Sequence, residues 1–130
     1  MTHLQRQRGA VTLATTLVVF AAALALATSV QFIGIGEVLM AYGTVRSEQA
    51  FQFADSCVDE ALLRLKRDSG YTGGSLSEGD ASCTIAVSGS GSTRTITSTA
   101  TVGQQTRVII VGVSISGTIV TVTSWAEDTI

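Results

Sequence analysis

AVTLATTLVVFAAALALATSVQFIGIG, residues 10–36, is a run of 27 residues without a formal charge. As an α-helix it would be about 40 Å long, and a bilayer core about 30 Å thick needs only about 20 apolar residues to cross it. Its Thr and Ser side chains can bond back to helix carbonyls, so they do not disqualify it. The residues before it, MTHLQRQRG, are polar and basic, with Arg6 and Arg8 immediately ahead of the apolar run. Glu37 opens the other side. Basic flanks stay cytoplasmic, which predicts a single-pass segment in the cell membrane. The N-terminus would be inside and everything after Glu37 outside.

A secretory signal peptide is the competing explanation. Its apolar core runs about 7–15 residues and ends at a small-residue cleavage site, and Ala27 offers one. The apolar run continues past that point through Val30, Phe32, Ile33 and Ile35, with no turn signal.

From Glu37 the pattern becomes amphipathic. Phe51, Ala54, Val58, Ala61, Leu62 and Leu65 recur at three- and four-residue spacing, which is one stripe of a helix. Glu48, Gln52, Asp55, Asp59, Arg64 and Lys66 fall on other faces. Glu60 precedes Arg64 by four residues, a favourable helical pair. Lys66 and Arg67 suit a helix C-terminus, and Gly70 offers a C-terminal cap. The apolar and amphipathic runs can be one helix from about residue 11 to residue 68, with Gly34, Gly36 and Gly43 as its weak points.

Residues 69–82, SGYTGGSLSEGDAS, read as a Gly/Ser surface loop. After them the period changes to two. Four strands are expected, over 83–87, 93–102, 106–115 and 118–125, separated by SGSGS at 88–92, Gly103-Gln104 and Ser116-Gly117. Short turns between strands of high β propensity give an antiparallel meander. Its apolar face, with Ile109, Val111, Val113 and Ile115, needs the amphipathic helix as cover. Val108 and Ile110 point to the opposite face, either as scattered surface hydrophobes or as a contact for a neighbour. The expected fold is therefore α+β, a long N-terminal helix packed on a four-stranded antiparallel sheet. Its organisation is a basic leader at 1–9, a membrane half-helix at 10–36, an amphipathic half-helix at 37–68, a loop at 69–82 and a sheet head at 83–130.

Composition narrows the function. Of the 130 residues, 45% are hydrophobic and only 14% charged, and there is no proline. The formal charge is −2 overall, and it becomes −4 once Arg6 and Arg8 are set aside. An acidic body argues against nucleic acid as a partner. His3 is the only histidine, so the chain beyond the leader has no His-based catalytic group. Asp55, Asp59 and Glu60 read as a solvated helix face. Glu78–Asp80 and Glu127–Asp128 lack the ligand spacing of a calcium loop. No phosphate-binding glycine loop follows a strand. No cofactor or metal site is expected, and the chain reads as structural rather than enzymatic. The two cysteines, Cys57 and Cys83, are too few for a common zinc site. In an exported domain they fit one disulfide, with two buried free thiols as the alternative.

Together these features resemble a type IV prepilin or pseudopilin. The residues that carry the resemblance are QRQRGAVTL at 5–13, where a short basic leader ends in Gly9 and the apolar run begins at Ala10. The resemblance implies that prepilin peptidase cuts between Gly9 and Ala10 on the cytoplasmic side. The apolar helix is then kept, and the new amine at Ala10 is commonly methylated. It also implies a subunit that rests in the lipid bilayer and then packs its N-terminal helix against those of sister subunits. Two positions depart from the family pattern. Ala10 stands where a large apolar residue is usual, and Ala14 stands at the fifth mature position, where Glu is usual. The second departure points to a minor or tip subunit. The alternative is a single-pass, membrane-anchored extracytoplasmic binding domain that does not polymerise.

Overall fold

The computed structural model describes residues 2–128, with side chains from Arg8 onward. The side chains of His3 and Arg6 in the leader, and the last two residues of the expected head, lie outside that range. One helix, α1 (Thr2–Arg67), is followed by five strands, β1 (Gly73–Glu78), β2 (Ala81–Ser88), β3 (Thr93–Val102), β4 (Gln105–Ser116) and β5 (Ile119–Asp128). The described residues fall into two compact units that part between Ala41 and Tyr42.

The N-terminal unit is helical throughout. The helix is already formed at Thr2, some nine residues before the expected start, and it continues through Gly34 and Gly36. Two glycines each costing about 1 kcal/mol do not break a helix whose neighbours are Ala, Leu, Ile and Val. Thr12, Thr15, Thr16, Thr28 and Ser29 each donate a hydroxyl hydrogen bond to a carbonyl three or four residues back, at 2.8–3.1 Å. Their polar groups are therefore satisfied within the helix.

The second unit is the end of α1 laid on an antiparallel sheet of order β1-β2-β3-β4-β5. The α+β expectation holds, but the sheet has five strands rather than four. The extra strand, β1, comes from the segment expected to be a loop. Gly73–Glu78 pairs with β2 from Gly73↔Ala86 to Glu78↔Ala81. Its polar sequence hid it, because an edge strand with one half-buried anchor, Leu76, needs little apolar alternation. Three hairpins share one construction, a two-residue loop whose first residue is glycine. Gly79, Gly103 and Gly117 take φ of 62°, 61° and 63°, the left-handed region that such loops require.

The core is one stripe of helix against one face of sheet. Ala54, Cys57, Val58, Ala61 and Leu65 meet Cys83, Ile85, Ile96, Ala100, Ile109, Val111 and Val113, and all are buried, as is Ala50 one turn earlier on the helix. Alanine at three of the six helix positions lets the helix lie close to the strands. Ser98 is the one buried polar residue among those described. Its hydroxyl donates to the carbonyl of Ala54 at 2.9 Å, tying the middle of β3 to the helix. The helix stops differently from expectation. Gly70 does not adopt a left-handed conformation. Instead the Asp68 amide donates to the Arg64 carbonyl, and the Asp68 carboxylate accepts from the Gly70 amide at 2.9 Å. An Asx turn thus takes the place of a glycine cap.

Between Gly112 and Val113 the β4–β5 register slips by one residue. The slip brings Thr123 and Ser124 both over Gly112. A Cβ there would lie 2.4 Å from the Ser124 hydroxyl oxygen, so this bulge needs glycine at its centre.

Candidate functional site

The candidate site is a surface. It lies in the N-terminal unit. From Arg8 to Ala41 no side chain is buried, and the large apolar ones are open. Leu17 is 60% exposed, Phe20 64%, Leu26 70% and Phe32 76%. A helix apolar on all sides and covered on none has a face that water disfavours, at about 25 cal/mol per Å². The same helix is long and apolar enough to cross a membrane.

Gly9 and Ala10, the expected processing pair, sit on this helix at the boundary between the basic stretch and the apolar run. Both are exposed, and an added Cβ at Gly9 would meet nothing within 4 Å. Ala14 occupies the next turn, and the first acid along the chain is Glu37. Further along, a shallow groove of about 510 Å³ opens on the helix surface at Gly34, bordered by Gln31, Ile35, Val38 and Leu39. A second shallow depression is lined by Thr15, Thr16, Val19, Phe20 and Ala23. Grooves at small residues are where two apolar helices approach most closely.

In the second unit the structure joins Cys57 to Cys83 as a disulfide between α1 and β2, with Cα atoms 6.7 Å apart. The bond spans 26 residues and encloses β1. Loop entropy values such a closure at about 3.5 kcal/mol. A cleft of about 240 Å³ lies beside it, lined by Phe53, Ser56, Cys57, Glu60, Leu76, Ser77 and Glu78. Of its two carboxylates, Glu60 is held by Arg64 at 2.7 Å, the helical pair anticipated from spacing. The other, on Glu78, lies on the exposed edge strand. No group of three or more metal-ligating side chains occurs among the described residues.

Two further ion pairs, Arg46–Asp80 and Arg107–Glu127, fix one end of this unit. Arg107 also donates to the Ser47 hydroxyl at 2.9 Å. Hydrogen bonds from Arg46 to the Tyr42 hydroxyl and to Asp80 hold the Arg46 guanidinium above its ordinary pKa. The Glu60 bond does the same for Arg64. Both shifts are upward from a value already far above neutrality, so both guanidiniums stay charged as the pH rises through the physiological range. The long-range pairs were not legible in the sequence, because each joins residues that only the fold makes neighbours.

On the outer face of the sheet, Val108 and Ile110 stand against Thr99 and Thr97 of β3. Val108 is buried and Ile110 half-buried. At the free edge, Val122 and Trp125 of β5 remain about half exposed. Trp125 meets the ring of Phe51 edge-on, with centroids 5.9 Å apart. Comparison with protein-family models, curated proteins and solved structures found no match.

Proposed function

We propose that the chain is a structural subunit, of minor or tip type, in a type IV pilus or a related secretion pseudopilus. The observation that carries this reading is the contrast within α1. Residues 8–41 bury no side chain, while the last turns of the helix, with the sheet, close a complete core. A head that folds without the apolar helix leaves that helix free for another apolar environment. Lipid is the first such environment, with the N-terminus cytoplasmic and the head outside. The helices of sister subunits are the second.

The leader's place in the sequence supports the reading. Prepilin peptidase would hydrolyse the Gly9–Ala10 amide at the cytoplasmic face, leaving the helix attached to the head and a new amine at Ala10. Because residue 14 is alanine, no buried carboxylate needs a partner when the helix leaves lipid. That removes a cost of about 2.5–3.5 kcal/mol and also a positional contact with a neighbour's amine. The same alanine favours the second reading, a single-pass anchor whose head binds a surface without polymerising.

The test is expression beside a prepilin peptidase and an assembly motor, followed by shearing of the cell surface. The filament reading expects sheared material containing a chain that begins at Ala10. A chain retained wholly in the membrane with residues 1–9 intact would support the plain anchor, and the filament reading would fail.

A further inference from the structure

The charges of the second unit are sorted by end. The strands run between two sets of turns. At one end lie the β1–β2 turn at Gly79-Asp80, the β3–β4 turn at Gly103-Gln104, the close of β5 and the Arg46–Ser47 stretch of α1. At the other lie the 89–92 turn, the start of β5 and the 68–72 segment that follows the C-terminus of α1, whose Thr72 carbonyl accepts from the Val87 amide. Three ion pairs consume Arg46, Asp80, Arg64, Glu60, Arg107 and Glu127.

Among the described residues, the charges left at the first end are Glu48, Glu78 and Asp128, all acidic. Those left at the second are Lys66, Arg67 and Arg94, with Asp68 as the one acid, already capping Gly70. Arg94 bonds only to the Gly91 and Thr93 carbonyls, keeping its charge uncompensated. Asp55 and Asp59 lie between the ends, on the exposed side of the helix.

We infer that the head docks end to end with a second copy of itself, the Lys66–Arg67–Arg94 end of one against the Glu48–Glu78–Asp128 end of the next. The occupant is set by charge complementarity, since each end carries the charge the other lacks. Two like ends meeting would repel, so a two-fold dimer through either end is disfavoured. A contact between unlike ends of identical subunits is heterologous and leaves a fresh end of each kind, which makes an open series rather than a closed pair. Exposed pairs are individually weak, so these charges set register and direction, while the apolar helices hold the copies together. The inference rests on the filament reading and names the contact that reading leaves open.

Lys66 is the only lysine in the chain, which makes the test specific. Filaments sheared from cells that express the full-length protein beside a prepilin peptidase and an assembly motor are treated with a zero-length carbodiimide, which joins an amine to a carboxylate only where the two touch. A photo-crosslinking residue in place of Leu26 reports helix contact between copies independently. The expected result is a covalent dimer whose linked peptides join Lys66 to Glu78, Asp128 or Glu48. Raising the salt to about 1 M, where the screening length falls to about 3 Å, should reduce it. Glu78→Lys or Asp128→Lys should lower it roughly two- to fivefold each. Lys66→Arg, which keeps the charge and removes the amine, should abolish the link while helix contact persists. The paired exchange K66E with E78K should restore linkage between positions 66 and 78, with the amine and the carboxylate interchanged. If the copies crosslink through residue 26 but Lys66 never joins those acids, end-to-end docking is overturned and the filament reading stands. If neither contact forms, both are overturned.

Discussion

Two stretches of comparable apolar content behave in opposite ways. Residues 10–36 are apolar on every face of the helix and bury nothing. Residues 50–65 are apolar on one face and bury almost all of it. The difference lies in patterning. A stripe of Ala50, Ala54, Cys57, Val58, Ala61 and Leu65 can be covered by one sheet face, so it closes a core. A helix apolar all round is left uncovered by the other described residues, and in the proposed function its cover is lipid and then sister helices. The amount of hydrophobicity is therefore less informative than its angular distribution.

The largest expected effect breaks the first side of the comparison. Ala22→Arg together with Leu26→Arg places two charges in the middle of the apolar run, at about 2.5–3.5 kcal/mol each. Membrane fractionation should show the chain lost from the bilayer, and any assembly lost with it, while the isolated fold of the head stays unchanged. Retained assembly would contradict the helix-packing role.

Next in size is Cys57→Ser, which breaks the other side. Loss of the disulfide should destabilise the head by about 3–4 kcal/mol and lower its melting midpoint by about 15 °C or more, without altering membrane retention. Mass spectrometry of unreduced protein should find no free thiol in the parent.

A smaller change sharpens the account of how the helix is fixed to the sheet. Ser98→Ala removes the hydroxyl bond to the Ala54 carbonyl, which already serves the helix, and should cost about 1 kcal/mol in denaturant unfolding. The smallest effect is expected at Ile110→Lys on the outer face. Stability should change by about 0.5–1 kcal/mol, and assembly should persist if copies meet at their ends rather than through this face. Lost assembly with an intact fold would instead make Val108 and Ile110 part of a contact.

Much of the fold was legible because periodicity carried it. The helix end at Arg67 and the strand Thr93–Val102 follow from a change of period from about four to two, and the flanking strands differ from expectation by only one to three residues. What escaped was set by pairing rather than pattern. β1 is polar because it is an edge, and its signal was the Gly79-Asp80 loop, which shares the glycine-first form of the Gly103 and Gly117 hairpins. Ser98 could not be distinguished from its Thr neighbours, since only the register turns it inward. The bulge at Gly112 looked like an ordinary strand glycine. Of the candidate surface, the uncharged run and its boundary at Gly9 and Ala10 were plain in the sequence. The sorting of charge between the ends of the head was not, because it depends on which charges the fold pairs off.

The most direct measurement is hydrogen–deuterium exchange on the full chain, compared between lipid nanodiscs and protein freshly diluted out of mild detergent into water. The account predicts that amides of residues 10–36 are strongly protected in lipid and exchange quickly without it, while amides of β2, β3 and β4 are protected equally in both. Equal protection of residues 10–36 in the two conditions would mean that the helix finds its cover within the chain, and would contradict the account.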